Sequence, residues 1–109
     1  MTDIHYLSLV DLSEKLRDRE LSCAEVTRHM LARIDMLDGV LRSYATSMAD
    51  IAVAQAAKAD REFARGEYRG ILHGIPFGLK DLCATKDAPT HVGSIANRNW
   101  NPGVDCTVV

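Results

Sequence analysis

The chain has 109 residues, 47% hydrophobic and 26% charged, a balance suited to one small globular core. Thirteen basic and fifteen acidic side chains leave a formal charge of -2, so no basic surplus advertises a nucleic-acid surface. No run of like charge reads as a membrane-binding or acidic tail.

The start, MTDIHYLSLVDLSEKL, has no basic leader region, unbroken apolar stretch or small-residue cleavage site, so no secretory leader is expected. No stretch approaches the ~20 apolar residues that cross a bilayer. Three cysteines, Cys23, Cys83 and Cys106, are widely spaced and form no CxxC, which argues against a disulfide framework and a structural zinc site. The expectation is a cytoplasmic protein.

The first predicted helix begins at Ser8, an N-cap with Asp11 at N3, and Leu9, Leu12 and Leu16 mark one face. The second opens on Ser22-Cys-Ala-Glu25, a capping box in which each partner satisfies the other's backbone amide. Behind it Val26, Met30, Ile34, Leu37 and Leu41 recur at helical spacing. The third runs from about Asp50 to Arg65, its face narrow and mostly small: Ala52, Ala56, Ala59 and Phe63. Gly66 suits the C′ position, and Arg61 and Arg65 sit where cations favour a helix end. Core packing explains these stripes more simply than a partner-binding face does.

Character changes after Gly66. Ile71 to Leu82 reads ILHGIPFGLKDL, apolar but broken by glycine and proline, and predicts a short strand from Ile75 to Lys80 with Pro76 at its start or on an edge. Alternation would set Ile75, Phe77 and Leu79 on one face and Pro76, Gly78 and Lys80 on the other. Gly78 would leave the surface beside Lys80 bare. Asp81 would face away from Lys80. A lysine closing an apolar strand is poorly hydrated if later structure covers it, and desolvation disfavours the charged form. The rival reading is a solvated strand-end lysine, the commoner fate of that residue type. From Thr85 on the chain is rich in Gly, Pro, Asn, Asp and Thr, which predicts a long ordered loop or a loop with short elements. It closes on Cys106-Thr-Val-Val109, read as the opening of a further buried element and so as a truncated copy of something longer.

The segment His-Gly-Ile-Pro-Phe-Gly-Leu-Lys80-Asp81 resembles the stretch around the catalytic lysine of the amidase signature family. The Ala-rich helix before it, Pro89-Thr90, Gly93-Ser94 and the closing Asp105-Cys-Thr-Val-Val109 are similar to that family in order and spacing. The resemblance implies an α/β fold, a mixed sheet covered by helices, of which residues 1–109 supply the N-terminal helices and the lysine-bearing strand of a single amidase domain. It also implies hydrolysis of a carboxamide or related C–N bond by a Ser-cisSer-Lys triad. An uncharged lysine takes a proton from a serine held by a cis peptide, and that serine activates a second, which attacks the carbonyl. Only Lys80 carries over. The Gly/Ser-rich segment bearing both serines does not occur in the chain, which alone is expected to be inactive. His91 stands where the family often has threonine, and Cys106 where alanine is common.

The partners implied are a small-molecule amide and at most a second copy of the chain, with no nucleic acid, membrane, metal or cofactor. One alternative in the same fold is the glutaminase (A) subunit of a tRNA-dependent amidotransferase. Another is a non-catalytic helical partner-binding module, and the last a gene remnant. A thiol site of Cys83 with His73 lacks an orienting third group. His5, His29, His73 and His91 lack metal-ligand spacing. Ser8, Ser13 and Ser22 fit helix starts, and Ser94 a Gly-Ser turn.

Overall fold

The computed structural model describes residues 3–109. Met1 and Thr2, which begin the stretch read above as lacking a leader, lie outside them. Three α-helices follow in chain order: α1 (Leu9–Arg17), α2 (Cys23–Leu41) and α3 (Ala49–Ala64), with 3-10 turns at Ile4–Tyr6 and Ile95–Asn97. None is long and apolar enough to cross a membrane. The chain divides into two compact units, Met1–Arg42 with Ala49–Pro76, and Ser43–Met48 with Phe77–Val109.

The helix ends of the first unit follow the sequence closely. Ser8 accepts from the Asp11 amide, and the Ser22–Glu25 capping box closes in both directions. At the end of α3 Gly66 takes φ +78, the Glu67 amide donates to Glu62 O at 3.0 Å, and the Gly66 amide to Phe63 O at 3.0 Å. That pair of bonds is a Schellman motif, which the glycine permits.

Helices α2 and α3 pack on one another. The Asp60 carboxylate, near the end of α3, accepts the Cys23 amide at 2.7 Å and the Ala24 amide at 3.0 Å, so the two helices run antiparallel. The core comprises Leu12, Leu16, Cys23, Val26, Ala56 and Ala59, flanked by Ile4, Leu7, Leu21, Phe63 and Ile75. Ala56 and Ala59 allow the close approach expected of the small-residue face.

The stripes are buried only in part. Leu9 is exposed, as are Leu37 and Leu41 at the far end of α2, whereas Met30 and Ile34 are half-buried. Periodicity marks which residues share a face; whether that face is covered depends on neighbours the repeat does not encode.

Cys23 is fully buried and its thiol is pushed up to about 12, chiefly by burial and then by the adjacent Asp60 carboxylate. It is a packing residue. Gly74, at φ +78, lies against it: a Cβ there would collide with Cys23 Sγ and come within 3.2 Å of Phe63 Cε2. The glycine of His-Gly-Ile-Pro is thus required by the core of this unit as well as by its own backbone.

One correction concerns the strand. Residues 75–80 are irregular, and no strand occurs among the described residues. Ile75 packs on the core while Phe77 is exposed, so the expected alternation is absent as well. A lone extended segment cannot build a ladder, and these residues provide no second strand to pair with. The sheet of the expected α/β fold therefore does not appear in this structure.

Glu62 ties the loop after α3 to the helix. Buried, it accepts from Arg69 Nη2 at 2.6 Å and from His73 Nε2 at 2.7 Å. The Arg69 amide donates to His73 Nδ1 at 3.1 Å, which leaves the ring proton on Nε2, facing Glu62. His73 also stacks on Phe63, with centroids 4.5 Å apart. The hydrogen bond from His73 holds the Glu62 carboxyl below the ordinary carboxylate range against the opposing effect of burial, with Arg69 and Lys58 adding to it. A lowered carboxyl contributes stability above its unfolded value, near 4.5, that is lost as pH falls through the folded value. Glu62→Gln should therefore melt below the parent at neutral pH, and the gap should narrow on acidification. Thermal melts across that range test it.

Candidate functional site

The second unit carries Lys80. Its chain is irregular, and side chains set its shape. The Asp81 carboxylate accepts the His91 amide at 2.8 Å and pairs with His91 Nδ1 at 3.1 Å, while Asp81 O accepts the Val92 amide at 2.9 Å. Residues 81 and 91–92 are thereby closed into one loop. A turn from Lys80 O to the Cys83 amide, at 3.0 Å, sets the backbone just past the lysine. Further along, the Thr90 amide donates to Trp100 O at 2.9 Å and the Cys106 amide to Ala84 O at 2.9 Å.

Lys80 is exposed on a cleft of about 460 Å³ that Tyr44, Thr46, Gly78, Cys83, Thr85 and Pro89 also line. Asp81 is turned to His91, and Lys80 makes no ion pair among the described residues. The expected separation of Lys80 from Asp81 holds, through a competing partner rather than strand alternation. A cover that would desolvate the lysine is not supplied by these residues. At Gly78 the nearest atom to an added Cβ is Tyr44 Oη, at 3.6 Å, an ordinary contact. The surface there is thus not bare as the sequence predicts: the Tyr44 hydroxyl lies beside it.

The thiol alternative fails on its parts. Both nitrogens of His73 are engaged by Arg69 and Glu62. The Cys83 thiol is raised, by burial first and by Cys106 second, with Lys80 acting the other way. An activated thiol needs the opposite shift. His5 and His29 hydrogen-bond to each other at 2.9 Å, and no group of three or more metal-ligating side chains assembles among the described residues. Ser94 precedes the turn Ile95–Asn97 without a side-chain cap bond.

The sequence sets Asp81 facing away from Lys80 and marks His91 only as a departure from the family pattern. Their pairing was missed because it spans a loop. The Pro89-Thr90 dipeptide noted above proves to be deeply buried at Thr90, whose Oγ1 finds no hydrogen-bond partner among the described residues.

A family model described as Amidase matches residues 25–109. Over 106 residues the chain is 48% identical to a Mycobacterium tuberculosis protein named "Putative amidase AmiD", covering 97% of this chain and 22% of that one. It is 39% identical over 107 residues to the A component of the Glutamyl-tRNA(Gln) amidotransferase of Bdellovibrio bacteriovorus, covering 98% and 22%. A solved chain described under "An unexpected vestigial protein complex reveals the evolutionary origins of an s-triazine catabolic enzyme" superposes with a TM-score of 0.85 at 29% identity, over 91% of this chain and 22% of that one. The chain belongs to the amidase signature family. It spans about a fifth of the length of the curated relatives it matches, 22%.

Burying a hydroxyl without a partner costs about 1–3 kcal/mol, and an isosteric apolar group avoids that cost. Thr90→Val should therefore leave the protein as stable as the parent or raise its stability by up to about 1 kcal/mol, read as a shift in the denaturant midpoint. A clear loss would mean that the hydroxyl has a partner beyond these residues.

Proposed function

We propose that this chain contributes Lys80, as the ultimate base, to an amidase that hydrolyses a carboxamide or related C–N bond through a Ser-cisSer-Lys triad. The observation that carries the reading is the family match together with the state of the Gly74–Asp81 segment. Lys80 stands on a cleft, and the neighbouring carboxylate is committed to His91. A base lysine must reach its serine free of a carboxylate partner, because a paired ammonium is held in its charged form. Asp81 meets that requirement by holding the loop instead.

In this reading residues 75–80 join a sheet once strands from the remaining length of the domain are present, and those parts cover and desolvate Lys80. The lysine, uncharged, accepts a proton from the bridging serine. That serine deprotonates the nucleophile, which adds to the amide carbonyl. Collapse of the tetrahedral adduct expels ammonia or an amine and leaves an acyl-enzyme for water to cleave. The substrate is a small amide.

The second reading is an amidotransferase component that liberates ammonia for a partner, supported by the relatives of that name at 39% identity. The relative named as an amidase is nearer, at 48%, and favours the free-standing enzyme.

A protein that carries this chain together with the remaining length of its relatives should release ammonia from simple carboxamides. With hydroxylamine present it should divert the acyl group to a hydroxamate, the mark of a covalent intermediate. The 109 residues alone should release none above a Lys80→Ala control, since parts that act as a unit retain little rate when separated. Hydrolysis without hydroxamate in the longer protein would contradict the acyl-enzyme route, and turnover by the 109 residues would contradict the division of parts.

A further inference from the structure

Two cysteines outside the proposed triad lie on neighbouring stretches of the second unit. The Cys106 amide donates to Ala84 O at 2.9 Å, the Lys86 amide to Asp105 Oδ1 at 2.9 Å, and Lys86 Nζ lies 3.8 Å from Asp105 Oδ2. Asn101 Nδ2 adds a bond to Lys86 O at 2.9 Å. These bonds hold residues 84–86 against 105–106, which sets Cys106 beside the residue that follows Cys83. Both are half-buried, so a small reagent reaches them, whereas Cys23 is sealed in the core of the first unit. A disulfide is selective about geometry, and backbones tethered at Ala84 and Cys106 limit the gap that Cys83 and Cys106 must close.

We propose that Cys83 and Cys106 form a reversible dithiol–disulfide site, oxidised by a low-molecular-weight disulfide such as oxidised glutathione. One cysteine, as its thiolate, attacks a glutathione sulfur; the S–S bond breaks, and one glutathione thiolate leaves and takes up a proton. The second cysteine, deprotonated, attacks the protein sulfur of the mixed disulfide and expels the other glutathione. The protein loses two electrons and two protons, which appear in two molecules of reduced glutathione. Burial and the neighbouring thiol raise Cys83, so exchange is slow at neutral pH and quickens as pH rises.

The bridge would tie the turn that follows Lys80 to residues 105–106, and Cys83 lines the same cleft as Lys80. Control of hydrolysis by oxidation would rest on Lys80 being the base; the cross-link itself does not.

The test titrates reduced protein with glutathione buffers of graded ratio, followed by acid quench, alkylation, intact mass and protease mapping, in buffer and in concentrated urea. The expected product is a monomer lighter by two hydrogens, with the Cys83 and Cys106 peptides joined and Cys23 alkylated only after unfolding. Dithiothreitol should reverse it. The Cys83–Cys106 link should form at an oxidant ratio roughly tenfold or more below that needed in urea, since the fold raises the effective concentration of one thiol at the other. Cys106→Ala should stop at a glutathione adduct on Cys83. Links through Cys23, disulfide-joined dimers, persistent glutathione adducts on both cysteines, or equal pairing in buffer and urea would each overturn the proposal. Measuring amide hydrolysis before and after oxidation in the longer protein is a separate readout; loss of the cross-link and loss of the Lys80 reading are thereby told apart.

Discussion

The Asp60 carboxylate at the start of α2 is the contact on which the first unit depends. A helix leaves its first amides without partners, and here that end is pressed into the core, with Cys23 and Val26 wholly buried. Asp60 accepts the amides of Cys23 and Ala24 while Ser22 accepts that of Glu25. Three of the orphan donors are thereby satisfied, and a negative charge meets the positive end of the helix dipole. Each hydrogen bond to a charged group contributes about 1.5–3 kcal/mol, and each buried amide left unpaired would cost about 1–3 kcal/mol. Helix propensity alone differs by less than that between ordinary residues. The antiparallel packing of α2 on α3 is therefore fixed by a polar contact as much as by the alanine face.

From that contact the order spreads toward the lysine segment. Glu62, one residue beyond Arg61 on the same helix, gathers Arg69 and His73, and Phe63 stacks on His73. Gly74 then settles against Cys23, the residue whose amide Asp60 holds. The end of α3 thus fixes where the chain departs at Ile75 and Pro76. Within the second unit Asp81 and His91 do the corresponding work, closing the loop that begins at the lysine.

What the sequence made legible was local. Ser8, Ser22 and Gly66 announce helix ends because capping acts over three or four residues, and all three perform as expected. The strand at Ile75–Lys80 was not legible in the same way, since a ladder requires a partner that these residues lack. Asp60, Glu62 and the Asp81–His91 pair were unreadable for the converse reason. Each joins residues far apart along the chain, and a lone carboxylate carries no mark of its partner. Cys83 and Cys106 were judged separately, and only the paired backbones at Ala84 and Cys106 bring them together. Lys80 was singled out by the family resemblance around it, not by its own pattern, which favours a solvated lysine.

The central claim is that Lys80 must give up its charge to act. Turnover of Lys80→Ala and Lys80→Arg, in a protein carrying the remaining length of the relatives, addresses this directly when measured beside circular dichroism of each variant. A guanidinium stays charged at any working pH and cannot accept the proton. The account predicts that kcat falls by several orders of magnitude in both, with the fold intact. Near-normal turnover in a folded Lys80→Arg protein would contradict it and return Lys80 to the role of a solvated surface cation.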